Sequence, residues 1–90
     1  MASQPTITVL YFAAASTATG LTEELFILPE TPFPLSTLAS LITSRHPNKG
    51  LEKILGTSSW SVNAEMVDDP EKTSLRGGEE VAVICPVSGG

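Results

Sequence analysis

The chain has 90 residues, a formal net charge of −5 and one cysteine. A chain of this length forms one small domain, which suits a carrier, a binding module or a subunit better than a free-standing enzyme with a deep cleft. Its five basic residues are thinly spread, so we expect no nucleic-acid binding, because phosphate contacts need clustered Lys and Arg. No run approaches the ~20 apolar residues that span a bilayer, so we expect no membrane association. A single cysteine cannot form an internal disulfide, which favours the reducing cytosol.

The first half of the chain is expected to form two strands and a helix. Residues 6–12 are β-branched and aromatic, which is typical of a strand with apolar residues on both faces. Residues 13–20 are small, rich in Ser and Thr and end in Gly, so we expect a loop that leads to a second strand over 21–28. Three prolines in 29–34 predict a turn, and residues 35–46 follow as a helix. Its apolar positions follow the spacing of one helical face: Leu35, Leu38, Ala39 and Ile42.

The second half is expected to contain a short helix and several strands. The sequence predicts a helix within 48–56, a strand over 59–62, a turn at Asn63-Ala64, a small strand at Met66-Val67 and a last strand over 80–85. The first and last strands are the most apolar, so we expect them to pair at the centre of a mixed sheet that one main helix covers. This is an α+β arrangement, the β-grasp architecture of ubiquitin. We expect these residues among the most buried: Val9, Leu10, Leu38, Ile42, Val81 and Val83.

The last five residues are the candidate reactive site. Pro86 ends the strand because it lacks a backbone donor, and Gly89 and Gly90 have no side chain to bury. A free α-carboxylate on such a tail can enter a narrow active site on another protein, so we predict that Gly90 is the reactive group. Gly89 would allow close passage, and Val87 would be an apolar anchor. The interpretation divides the chain into a leader (1–5), a β-grasp domain (6–85) and a reactive tail formed by Pro86, Val87, Ser88, Gly89 and Gly90.

Other residues that could carry chemistry are better explained structurally. Cys85 is expected to be a packed thiol, since nothing in the sequence supplies the cation that a reactive thiolate needs. His46 lies at the predicted helix end without a second ligand nearby, so we expect a capping or surface role and no metal site. Ser16, Ser58 and Ser59 have no triad spacing, Asp68 and Asp69 precede a proline in a turn, and Arg76-Gly77-Gly78 is an internal turn.

Three stretches together resemble the small, sulfur-carrying subunit of molybdopterin synthases. They are residues 9–13, residues 77–82 and the terminal Pro-Val-Ser-Gly-Gly of residues 86–90, of which the last is the most specific. Arg45-His46-Pro47 is similar to the eukaryotic branch of this family. The chain departs from the family where Cys85 precedes Pro86, since the family often has two prolines there, and where Ser16 replaces a frequent basic residue.

The resemblance implies a mechanism in which this subunit carries sulfur but supplies no acid or base. An ATP-using enzyme of the ubiquitin-activating type would adenylate Gly90, and a sulfur donor would convert the acyl-adenylate to a thiocarboxylate. The tail would then insert into the large synthase subunit, within a heterotetramer of two small and two large subunits. Sulfur would pass to cyclic pyranopterin monophosphate to build molybdopterin. The family implies no bound cofactor and no metal, and places the catalytic groups on the large subunit.

Two other classes of function stay open. One is a ubiquitin-like protein modifier, or another sulfur carrier, that uses the same Gly89-Gly90 end. The other is an interaction domain with an inert tail, because small residues are common at chain ends. Conjugates trapped on many cellular proteins would favour the modifier, and unchanged behaviour after truncation of the tail would favour the inert domain.

Overall fold

The computed structural model describes residues 4–85, and this range contains seven strands, three α-helices and one 3₁₀ turn. The strands are β1 (Thr6–Tyr11), β2 (Glu23–Ile27), β3 (Phe33–Pro34), β4 (Ser59–Val62), β5 (Glu65–Met66), β6 (Ser74–Leu75) and β7 (Glu80–Ile84). The helices are α1 (Ala13–Thr19), α2 (Leu35–Arg45), α3 (Leu51–Thr57) and a 3₁₀ turn (Pro70–Lys72). The predicted leader lies partly, and the predicted tail wholly, outside the described residues. The Pro5 carbonyl accepts a hydrogen bond from the Leu28 N–H at 2.9 Å.

The sheet has the strand order β2-β1-β7-β4-β5, so the first and last strands of the domain pair at its centre. β1 and β7 run parallel, with Val9 opposite Val81 and Tyr11 opposite Val83. The other pairs of this sheet are antiparallel, which makes it a mixed sheet. This topology confirms the predicted central pairing and the β-grasp architecture.

The core lies between the sheet and the helices. Leu38 and Ile42 of α2 are fully buried, as are Val9, Val81 and Val83 of the two central strands. Burial of such side chains is the main favourable term in folding. The core prediction is therefore confirmed for five of its six residues. Leu10 is only half-buried, because alternation along β1 directs it to the opposite face of the sheet, which no helix covers in the described part of the chain.

The expected loop over residues 13–20 is wrong, because Ala13–Thr19 forms α1. Four of the seven residues in this helix are alanine, the residue with the highest helix propensity. A helix this short is marginal in isolation, so packing must stabilise it. Ala15 is completely buried in the core, and α1 packs against α3. Gly20 ends the helix in the left-handed conformation, with φ of 75°, and its N–H donates to the Ser16 carbonyl at 2.8 Å.

The remaining differences concern the ends of elements. β2 begins at Glu23 rather than at Leu21, β7 ends at Ile84, and β5 lies one residue earlier than expected. Phe33 and Pro34, expected within a turn, also form β3, which pairs with β6. Two residues separate β4 and β5, as expected for a hairpin, and both have positive φ: Asn63 at 51° and Ala64 at 70°.

Candidate functional site

The predicted reactive tail begins where the central strand β7 ends. β7 stops at Ile84, and Cys85 is the last residue that the structure describes. Val83 of this strand lies opposite Tyr11, the last residue of β1. The end of β7 is therefore beside the β1–α1 junction, and the chain leaves the sheet from its most buried pair of strands. The five predicted site residues lie outside the described residues, so their roles stay predictions: Pro86, Val87, Ser88, Gly89 and Gly90.

Cys85 joins the end of β7 to two neighbouring segments. Its Sγ lies 3.4 Å from the Phe12 carbonyl oxygen, to which the thiol donates. The Ser58 hydroxyl lies 3.7 Å from the same sulfur and 2.5 Å from the Ile54 carbonyl oxygen. Cys85 is partly buried and packs against the core, as predicted for a structural thiol. These contacts hold Cys85, the last described residue, at the end of β7.

Large apolar side chains lie exposed on the face of the sheet opposite the helices. Because side chains alternate along β7, Val81 and Val83 point into the core and Ile84 points to the outer face. Register places Met66 on this face too, since it pairs with Ser61, which pairs with Ala82. Phe12 follows β1 in an extended conformation, and because buried Tyr11 precedes it, its side chain lies on the outer face. Their exposed fractions are 50% for Phe12, 60% for Met66 and 36% for Ile84, and we refer to these three residues as the outer patch.

A polar cluster around Glu24 lies at the C-terminal end of α2. The Tyr11 hydroxyl donates to Glu24 Oε1 at 2.7 Å, and His46 Nε2 lies 2.8 Å from the same oxygen. Arg45 Nη1 lies 3.6 Å from Glu24 Oε2. The Tyr11 and His46 rings meet edge to face, with centroids 6.4 Å apart. The cluster therefore joins β1, β2 and α2.

The cluster keeps Glu24 ionised and Tyr11 protonated. Burial alone would raise the pKa of the Glu24 carboxyl, but hydrogen bonds from His46 and Tyr11 and the nearby Arg45 charge outweigh it, so the pKa is lowered. Burial, the hydrogen bond to Glu24 and the charge of Glu24 together raise the pKa of the Tyr11 phenol well above its ordinary value. These hydrogen bonds and charges hold the end of α2 against β1 and β2.

Sequence reasoning missed this cluster. It predicted a capping or surface role for His46; the backbone of His46 does end α2, but its ring is largely buried against Glu24, with 15% of the side chain exposed. Glu24 and His46 are 22 positions apart, and no local pattern signals such a contact. Alternation along β2 could have placed Glu24 on the same face as buried Phe26, but it could not have indicated that His46 would contact Glu24.

The other candidates have the structural roles that the sequence predicted. Asp69 precedes the 3₁₀ turn, and its carboxylate accepts from the Glu71 N–H at 3.0 Å. Gly77 and Gly78 form a tight turn with φ of 124° and 86°, and the Gly77 N–H donates to the Glu79 carboxylate at 2.7 Å. Among residues 4–85, no group of three or more His, Cys, Asp or Glu side chains could hold a metal ion. No helix in the same range is long and apolar enough to cross a bilayer.

The fold defines a ubiquitin-like β-grasp protein, and comparison with known proteins gives the family. The model described as the ThiS family matches residues 9–90. A protein of Mycosarcoma maydis named molybdopterin synthase sulfur carrier subunit is 46% identical over 88 residues, which cover 96% of this chain and 95% of the relative. This chain therefore belongs to the ThiS family.

Solved structures share the fold over nearly the whole chain. A Pyrococcus furiosus protein provisionally described as subunit 1 of molybdopterin converting factor has a TM-score of 0.75 and 29% identity, covering 92% of this chain and 99% of that one. A complex of subunits 1 and 2 of molybdopterin-converting factor from Helicobacter pylori contains a chain with a TM-score of 0.60 and 24% identity. The match covers 94% of this chain and 99% of that one, and at this identity the likeness concerns the fold.

Proposed function

We propose that this chain is the sulfur carrier subunit of a molybdopterin synthase and that the Gly90 carboxyl group carries the sulfur. The observation that carries the proposal is the position of β7, a central strand that ends beside the β1–α1 junction. The core thereby supplies a rigid base for the terminal residues, which suits a subunit that presents its C-terminus to another protein. Membership of the ThiS family and the name of the Mycosarcoma maydis relative support the same function.

The proposed chemistry begins with activation, because a carboxylate is a poor electrophile. An adenylyltransferase of the ubiquitin-activating type would use ATP to join the Gly90 carboxylate to AMP, which makes the phosphate a leaving group. A sulfur donor would then convert the acyl-adenylate to a thiocarboxylate. Sulfur would pass from Gly90 to cyclic pyranopterin monophosphate, and two such transfers would build the dithiolene of molybdopterin. Gly89 would let the end of the chain pass through a narrow channel, since a residue without Cβ has the least bulk.

The proposed partner is the large subunit of the synthase, which would supply the catalytic groups, and the outer patch is the proposed docking surface. Phe12 and Ile84 lie beside the end of β7, and Met66 extends the same apolar face, so a partner that receives the terminal residues would also cover them. These side chains cannot exchange protons, so their role is binding. Val87 would add to this contact. We further propose a heterotetramer of two small and two large subunits that acts in the cytosol.

The decisive experiment is to load the protein with sulfur and weigh it. Wild type, a variant without Gly90 and Cys85→Ala are each incubated with the activating enzyme, ATP and a sulfur donor. Intact mass and peptide mapping should show one oxygen replaced by sulfur at Gly90 in wild type and in Cys85→Ala, and no sulfur in the truncated protein. Cys85→Ala is the matched control, because it removes the single thiol of the chain, which is the other group that could accept sulfur.

Two results would contradict the proposal. One is sulfur that maps to Cys85 and disappears in Cys85→Ala. The other is a Gly90 deletion that still supports molybdopterin formation with the large subunit. Thermal unfolding of all three proteins distinguishes a loss of chemistry from a loss of fold, since the core and not the chain end sets the stability.

A further inference from the structure

The strand β2 forms one edge of the five-stranded sheet, and within residues 4–85 it pairs only with β1. The Tyr11 N–H donates to the Thr22 carbonyl, and the Leu28 N–H donates to the Pro5 carbonyl, both at 2.9 Å. Hydrogen-bonded and non-hydrogen-bonded pairs alternate along an antiparallel ladder. The backbone N–H and C=O groups of the even-numbered residues of β2 therefore point toward β1. The N–H and C=O groups that point outward from the sheet belong to the odd-numbered residues of β2: Glu23, Leu25 and Ile27.

Two of these three residues, Leu25 and Ile27, carry exposed apolar side chains. Leu25 is 65% exposed and Ile27 is 54% exposed, and because they are two residues apart they lie on the same face of the strand. An exposed apolar edge strand is a template on which a further strand can pair. Folded proteins usually block such an edge, often with a charged side chain.

Arg45, the last residue of α2, reaches the middle of this edge. Its Nη1 donates to the Leu25 carbonyl at 3.1 Å, which occupies one of the outward groups. The guanidinium lies 4.1 Å from the centroid of the Phe26 ring, and Nη1 lies 3.6 Å from Glu24 Oε2. A cation–π contact and an ion pair therefore hold the guanidinium over the strand. An added strand would have to displace this charge or bury it, and burying it would cost desolvation energy.

We propose that Arg45 closes the β2 edge to strand pairing, and that the partner it excludes is a second copy of this chain. The surface is self-complementary. An antiparallel two-fold pairing centred on Leu25 places Leu25 against its own counterpart and Glu23 against Ile27 of the other copy, so no like charges lie directly opposite each other. The same surface serves both copies, so the assembly stops at two. The inference rests on the sheet edge alone and is independent of sulfur transfer.

The test is to remove the guanidinium and measure the mass of the protein in solution. Arg45→Met removes the charge and the donors but leaves an unbranched apolar side chain to cover Phe26. Arg76→Met is the matched control, because Arg76 is exposed in the turn before β7 and its loss changes the net charge equally. Sedimentation equilibrium is run at protein concentrations of about 0.1–1 mM, at which dimers with a Kd near 1 mM raise the average mass measurably.

Wild type and Arg76→Met should sediment at the monomer mass of 9.4 kDa at all concentrations, whereas the average mass of Arg45→Met should rise with concentration toward twice that mass. Adding Leu25→Lys and Ile27→Lys to Arg45→Met should restore the monomer, because charged side chains on the edge strand disfavour pairing. Amide NMR spectra check that each variant is folded. If Arg45→Met does not fold, Arg45→Gln takes its place with the same expectation, since an amide leaves the edge without a charge.

Several results would overturn the assignment. They are a folded, monomeric Arg45 variant, a wild type that already dimerises, an association that survives the two lysines, and assemblies larger than a dimer. Failure of both Arg45 variants to fold would also overturn it, because Arg45 would then be required for the fold itself rather than for closing the edge.

Discussion

Leu38→Ala tests the packing of α2 against the sheet. Leu38 is fully buried in the core, so the substitution removes buried carbon atoms and leaves a cavity beneath the helix. We expect a loss of ~2–5 kcal/mol, the usual cost of such a change. A domain of this length has a free energy of unfolding of roughly 5–13 kcal/mol, so the variant should lose a large part of its stability. Even ~2 kcal/mol would lower Tm by about 8–16 °C.

Urea unfolding followed by fluorescence measures this effect, because Trp60 is the single tryptophan and is largely buried in the folded state. Leu25→Ala is the matched control: it is the same chemical change at a side chain that is 65% exposed, and we expect it to cost less than ~0.5 kcal/mol. The reasoning would be refuted if Leu38→Ala lowered the free energy of unfolding no more than the control does, while the slope of that free energy with urea concentration stayed the same.

Three further predictions follow from the contacts around the sheet. The folded-state pKa of Glu24 is lowered from 4.5, so its stabilising effect is present above that value and is lost as the pH falls through the folded-state pKa. Glu24→Gln should therefore be less stable than wild type at neutral pH, and the difference should shrink in acid; an equal difference at all pH values in urea titrations would contradict this. Gly77→Ala should cost ~1–3 kcal/mol, because φ is 124° and an added Cβ would lie 2.8 Å from a proline side chain. Gly20→Ala, which also has positive φ but open space around it, should cost less, and the reverse order in thermal melts would show that the turn tolerates a side chain. Ile84→Asp should weaken binding to the large subunit at least tenfold, about 1.4 kcal/mol, by burying a charge; calorimetry should show little change for Leu25→Asp, and equal losses would place the docking surface elsewhere.

The main elements of the fold could be predicted from the sequence because their signals are local. Runs rich in β-branched residues indicate β1 and β7, and the spacing of Leu35, Leu38 and Ile42 indicates α2. The high apolarity of the first and last strands also suffices to place them together at the centre, since the most apolar strands are those covered best. The candidate reactive group, Gly90, could also be proposed from the sequence, because the Gly89-Gly90 pair is identified without knowledge of any tertiary contact.

Other features depend on residues that only folding brings together. α1 has no apolar periodicity, and it forms because the burial of Ala15 stabilises a stretch of alanines that would be marginal alone. Leu10 was expected in the core but is half-buried on the outer face. The contacts of Glu24 with His46 and of Arg45 with Leu25 join positions 22 and 20 apart. Local sequence encodes strand and helix preference, whereas the choice of face, the partner of a buried charge and the closure of a sheet edge are set by how the helices pack on the sheet.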